Sequence, residues 1–425
     1  MDYRQLAWEQ QNYMIALRRY FHENPELSKQ EDNTVAVICR ELQEMGIEYI
    51  EVPNGGVFAF LGDESKGRTV LLRADIDALP GRESPVNGGG KPKVCISQND
   101  AVSHTCGHDC HAAMLLGAAK VLKAHEAELP GRVILMFERG EEGGGNIAYL
   151  LKWAFDRKMQ VDSSFGVHVF PTAPTGKVQI ARGSAMAGAI PFKVKLIGKA
   201  AHGSAPTEGN NPIDCFVSLY STIQSLRMRY ANPFDAMVFS VGQVHAGAAN
   251  NIIPSELEFG GSFRVLNDED ALRVHGELVK AIENTAAVYN CRAEYSARTP
   301  TLSLKNDPAC TDFAFEHFSN TLGAENVIGS KANMASESHC LTARLWPGVY
   351  AFVGIYNEEK GMTARNHNEC FEPDEDALPV GAACHICYAV EFLKNGPDTA
   401  DRVYKGDLKE FFRQYNPPSL MAYNE

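Results

Sequence analysis

The 425-residue chain has no run rich in lysine or arginine, and its 40 basic side chains are outnumbered by 53 acidic ones. Nucleic-acid binding therefore has little support. The net charge of −13 mostly reports solubility. A basic residue that matters to function is expected to be a single one facing an anionic group. No continuous apolar stretch reaches the length needed to cross a bilayer, so no membrane partner is expected. The opening segment MDYRQLAWEQQNYMIALRRYFHENPELS scatters charges where a signal peptide would carry an apolar block. Internal repeats and low-complexity tracts are also missing. Eleven cysteines, an odd number spread along a long chain, fit reduced thiols better than a disulfide framework. A cytoplasmic protein is the expectation.

What is present is ordinary globular composition, 44% apolar and 22% charged, in a chain too long for one hydrophobic core. Residues 10–47 read as helical, broken at ENPELS. RTVLLRADIDALP reads as a strand ending in two aspartates. AAMLLGAAKVLKAHEAEL reads as a helix, GRVILMFERGEEGGG as an apolar strand running into carboxylates, and SSFGVHVF as a short strand ending in His168. Alternating strands and helices imply an α/β fold with a mostly parallel sheet. Ligands in such sheets gather at the strand carboxyl ends, which puts Asp75, Asp77, Glu141, Glu142 and His168 on one rim. Between 187 and 297 the order becomes β-α-β-β-α-β, the ferredoxin-like pattern, inserted into the first domain. The expected division is 1–186 and 298–395 for the α/β domain, 187–297 for the insert, and 396–425 for a polar tail with one helix.

The densest chemistry is HTCGHDCH, residues 104–111. Cys106 and His108 suit a borderline metal. A structural zinc knuckle needs a second close Cys/His pair, which is missing nearby. For Cys110 and His111, ligation and simple burial both stay open. CHIC at 384–387 lies in an apolar helix-like run and reads as packed thiols. In ERGEEGGG, two adjacent carboxylates cannot both point the same way, so one can hold a metal while its neighbour takes a proton from water. His168 and His367 are single histidines at element ends, and His202 lies in the insert.

RRYFHENPELS, RADIDALP, HTCGHDCHAAMLLGAAK, EEGGG, GVHVFP, GKAAHGSAPTEGNNPI, NNIIPSELEFGGSFR and HNECFEPDEDAL occur in this order. Together they resemble the amidohydrolase branch of the aminoacylase and carboxypeptidase G-like metallopeptidases, over about residues 10–395. The resemblance implies two divalent ions held by Cys106, His108, Glu142, His168 and His367, and the thiolate in that set leans the choice to zinc over manganese or nickel. It implies Glu141 as general base and Asp77 as a carboxylate orienting the site. His202 becomes an oxyanion-stabilising lid histidine donated across a homodimer, and Asn251 and Arg264 become lid contacts to substrate. The expected substrate is a small N-acyl or N-aroyl amino acid. A dipeptidase or carboxypeptidase is the close rival, and a non-catalytic binding protein or a structural zinc protein the distant ones.

The chain also departs from that family. Glu138-Arg139-Gly140 replaces the usual Gln-Pro-Ala, Thr207 and Asn211 replace a His and an Asp, and SESH near 336 replaces Ser-Glu-Asp-Phe. The loop at 81–103 is long and glycine-rich, in a place where loops set specificity.

Overall fold

The computed structural model describes residues 2–143, 145–297 and 301–415. Its central sheet runs, in spatial order, Glu48–Val52, Gly56–Gly62, Arg132–Glu138, Thr69–Asp75, Ser163–Pro174, Gly348–Tyr356, Val178–Ala181 and Val327–Ser330. The middle four, from Arg132–Glu138 to Gly348–Tyr356, are mutually parallel. Parallel strands are covered by helices on both faces, and accordingly Thr69–Asp75 is buried at every position.

The two faces alternate as strand geometry requires. Val70, Leu72 and Ala74 join Val133, Leu135 and Phe137 in one apolar cluster. Leu71, Ile134 and Met136 point into the other, with Tyr350 and Phe352. Each fully buried side chain of this kind contributes about 1.5–3 kcal/mol relative to exposure. Arg73, Asp75 and Glu138 share the parity of that second face, so its apolar packing ends in a charged layer at the strand carboxyl ends.

The insert has its own core. Its strands Gly188–Ile197, Met237–Ala246, Glu256–Val265 and Arg292–Ala297 pair antiparallel in the order second, third, first, fourth. Helices Pro212–Tyr230 and Asp268–Val288 contribute to that core. Both start on an asparagine whose side chain accepts backbone N–H groups of the first turn. The sheet and its helices make the ferredoxin-like unit.

Three expectations need correction. The strand carrying His168 runs on to Pro174, so His168 lies within it rather than at its end. The stretch Glu375–Asn395 is apolar and long enough by composition to cross a membrane, yet 89% of its most apolar window is buried inside the protein. It is a core helix, packed against helices His108–Ala124 and Pro308–Leu322. The last segment is not merely polar, because Leu408, Phe411 and Phe412 are buried in the second apolar cluster.

Candidate metal centre

The site forms where the parallel strands end. Asp75 and Glu138 close their strands, Glu141 and Glu142 lie on the turn beyond Glu138, and His168 stands within the neighbouring strand. Cys106 and His108 flank the start of helix His108–Ala124. The residue between them must be glycine. Gly107 has φ 93°, and a Cβ there would meet Val169 Cγ2 at 2.3 Å. His367 arrives on the loop after the Gly348–Tyr356 strand with φ 64°, a strained backbone for a non-glycine residue. The strain is held by its N–H donating to Thr105 O at 2.8 Å and by Asn366 Nδ2 donating to Cys106 O at 2.9 Å.

Side chains from these distant segments meet. Cys106 Sγ lies 3.5 Å from His168 Nε2 and 3.3 Å from His367 Nε2. Glu142 Oε1 lies 3.0 Å from His367 Nε2. Cys106–His108–His168 and Cys106–Glu142–His367 are two donor groups whose atoms all lie within 4.8 Å of one another, and they share the thiol. One atom in the cluster, His108 Nε2, is buried without a hydrogen bond, and Glu142 Oε1 has only the His367 imidazole beside it. Leaving a buried polar atom unsatisfied costs about 1–3 kcal/mol, so an orphaned imidazole nitrogen converging with a thiol, a carboxylate and two further imidazoles fits a cation in the gap.

The other ends of these side chains are fixed. His108 Nδ1 is 3.0 Å from Asp77 Oδ1, whose second oxygen accepts from Glu142 N at 2.9 Å and from the Ser28 hydroxyl. One carboxylate thus orients two donor residues. His168 Nδ1 donates to Val169 O at 2.7 Å, which frees Nε2 for the cluster. An imidazole whose far nitrogen is tied to a carboxylate or carbonyl is the usual arrangement at metals. Burial pushes the Cys106 thiol well above its ordinary range, an effect that a bound cation reverses.

His111, left open by the sequence, lies with Asp75 and His108 in a further group of donor atoms within 4.8 Å of one another, and its own partners are specific. Val169 N donates to its Nε2 at 2.9 Å, and its Nδ1 bonds Asp75 Oδ1. Both nitrogens are engaged by the protein, and through Nδ1 His111 seats Asp75. Cys110, Cys384 and Cys387 are buried thiols outside the donor groups found among the described residues.

Glu141 Oε1 accepts from Ser338 N at 2.9 Å. Burial, followed by the nearby charges of Glu337 and Glu142, pushes its carboxyl well above the usual range. Beneath it Arg73 donates to Asp75 at 2.8 Å and to Glu138 at 2.8 Å, and lies 2.9 Å from Glu337. The unusual Glu138-Arg139-Gly140 is fully integrated. Glu138 joins the Arg73 cluster, Arg139 Nε donates to Glu31 at 2.9 Å, and Gly140 N donates to the same carboxylate at 2.7 Å.

The insert residues divide. Arg264 Nη1 donates to Ser336 Oγ at 2.7 Å, and Ser336 lines the cleft beside Cys106, Glu142, His168 and His367. His202 and Asn251 are exposed and are not part of this cleft lining. They belong to one small two-stranded unit, where His202 pairs with Ile252 and Gly203 N donates to Asn251 O at 2.8 Å.

Sequence reasoning missed Arg73 and Glu337. A lone arginine inside TVLLRAD was a usable signal, since a charge in a doubly buried strand needs partners. Glu337 had no such mark.

The sequence profile of Peptidase family M20/M25/M40 matches residues 71–391. The chain belongs to that family. Within it, an Arabidopsis thaliana protein named IAA-amino acid hydrolase ILR1-like 4 is 34% identical over 390 residues, covering 90% of this chain and 86% of the relative. N-acetyl-L-cysteine deacetylase of Bacillus subtilis is 32% identical, covering 86% of this chain and 84% of the relative. The crystal structure of the Bacillus subtilis YXEP protein, described as a dinuclear metal binding peptidase from M20 family, superposes with a TM-score of 0.74. It is 29% identical, over 90% of this chain and 98% of that one. Named M20 relatives are enzymes, and the two donor groups sharing Cys106 suit the dinuclear chemistry that this last description states.

Proposed function

We propose that this M20 family chain is a dinuclear metal-dependent amidohydrolase that removes the acyl group from N-acyl or N-aroyl amino acids. The carrying observation is the meeting of Cys106, His108, Glu142, His168 and His367, with His108 Nε2 buried and unpartnered. These five residues would hold the ions, and the thiolate favours zinc over manganese or nickel. Two bound divalent cations supply a polarised amide carbonyl and a water acidic enough to lose its proton near neutral pH.

The chain's own groups do the rest. Glu141, half-buried and with a raised proton affinity, accepts the water's proton and returns it to the leaving amine nitrogen. Ser338 N–H holds one of its oxygens. Arg264 stands at the cleft edge as the cation for the substrate carboxylate, and Phe170, Met186 and Phe352 give the cleft an apolar wall for the acyl part. His202 and Asn251, outside their own chain's cleft, serve the cleft of a second copy in a homodimer joined through the insert. There His202 stabilises the developing oxyanion. Eleven free thiols support a reducing, cytoplasmic setting.

The test is a substrate panel on protein stripped by chelator and reloaded with single metals. Turnover of N-acetyl or N-benzoyl amino acids only after reloading is the expected result. Cleavage of free dipeptides alone would move the assignment to a dipeptidase, and no hydrolysis with any metal would sink it.

A further inference from the structure

Glu141 sits on a turn, and the hydrogen bond that fixes its carboxylate comes from a single backbone N–H, that of Ser338. Ser338 is itself pinned through its hydroxyl. The hydroxyl donates to Glu138 Oε1 at 2.6 Å and accepts from Arg73 Nη2 at 2.9 Å. Glu337 Oε1 stands farther off at 3.3 Å, so the one hydroxyl proton goes to Glu138. Glu138 is immobile because its strand neighbours that of Asp75 in parallel register, residue opposite residue, and because Arg73 Nε donates to its other oxygen at 2.8 Å. The Arg73, Asp75, Glu138 and Glu337 side chains are each at most 2% exposed.

We infer that Arg73, Glu138 and Ser338 are positioning residues that transmit the fixed geometry of the sheet to the Glu141 carboxylate. The inference rests on Glu141 carrying the proton in the proposed reaction. None of the three reaches substrate. Their effect is on where Glu141 points, and a misplacement of about 1 Å can cost on the order of a hundredfold in rate. The relay gives the departure at Glu138 a role. Its carboxylate supplies the acceptor for Ser338 and a counter-charge for Arg73. Glutamine, usual there in the family that the sequence resembles, would supply the acceptor alone.

The experiment uses the full chain reloaded with zinc. Glu138→Ala and Ser338→Ala are each expected to lower kcat by roughly ten- to a hundredfold, with KM within about twofold and metal content unchanged. The double variant should be no worse than the worse single one, because both cut the same relay. Glu138→Gln, which keeps an acceptor oxygen for Ser338 but turns its amide toward Arg73 Nε, should recover part of the kcat that Glu138→Ala loses. Unchanged kcat in both alanine variants overturns the inference, as does a double variant whose losses multiply. A Glu138→Gln enzyme as slow as Glu138→Ala also overturns it. Should Glu138→Ala not fold, Ser338→Ala and Glu138→Gln carry the test alone. Glu141→Gln separates the two readings. If it stays active, the proposed function fails, and if it is dead while the relay variants turn over normally, only the relay fails.

Discussion

The rim of the central sheet and the tip of the insert both carry histidines implicated by the sequence, and the structure treats them in opposite ways. At the rim, His108 and His168 are locked from behind by Asp77 and by a backbone carbonyl, and their free nitrogens face a shared gap. At the tip, His202 is exposed, and its Nδ1 lies 2.7 Å from its neighbour Ser204 Oγ. A preorganised centre therefore coexists with an exposed histidine that does not line the described cleft. The proposed homodimer would bring the two together across subunits.

The largest effect expected is at the rim. Glu141→Gln should lower kcat about a thousandfold, within the range of general acid–base catalysis, while metal content stays at the wild-type level. Loss of metal in this variant would mean that the roles of Glu141 and Glu142 are exchanged.

The next sharpens the contrast directly. His202→Ala should lower kcat about a hundredfold, as removal of one oxyanion donor does, without changing metal content. Mixing and refolding it with the inactive Glu141→Gln chain should restore activity, because a mixed dimer contains one site with both groups intact. Absence of restored activity would return His202 to its own chain or remove it from the mechanism.

Smaller again is Arg264→Ala. A single cation at the cleft edge should raise KM about tenfold with kcat little changed, the signature of lost uniform binding.

The smallest catalytic effect is expected at the long 81–103 loop. Glu83 is held to about 2 as burial, which raises it, is outweighed by hydrogen bonds from His22 and Lys93. A depressed carboxyl contributes stability that is present above its unfolded value near 4.5 and lost as pH falls toward 2. Glu83→Gln should leave kcat unchanged at neutral pH and reduce stability there. It should also flatten the wild-type decline in stability across that acid window, measured by denaturant unfolding.

Much of this was legible because soft-metal chemistry uses few residue types. A thiol, an imidazole and paired carboxylates at strand ends stand out against an apolar background, and Cys106, His108, Glu142, His168 and His367 do meet in space. The ferredoxin-like insert was legible from the order of its elements. The charged layer under the site was not. Arg73, Glu138, Glu337 and Ser338 come from three separated segments and carry no common spacing, so only the sheet register reveals their union. His111 looked as much like a ligand as His108 did, since what distinguishes them is the hydrogen bond from Val169 N, a tertiary contact. The run around CHIC was legible as packed, and the helix that carries it is indeed buried.

The central claim is most directly tested by anomalous diffraction from crystals of the zinc-reloaded protein. The account predicts two peaks per chain, both in contact with the Cys106 sulfur, one also ligated by His108 and His168 and the other by Glu142 and His367. A single peak, or zinc held elsewhere with Cys106 and His367 apart, would contradict it.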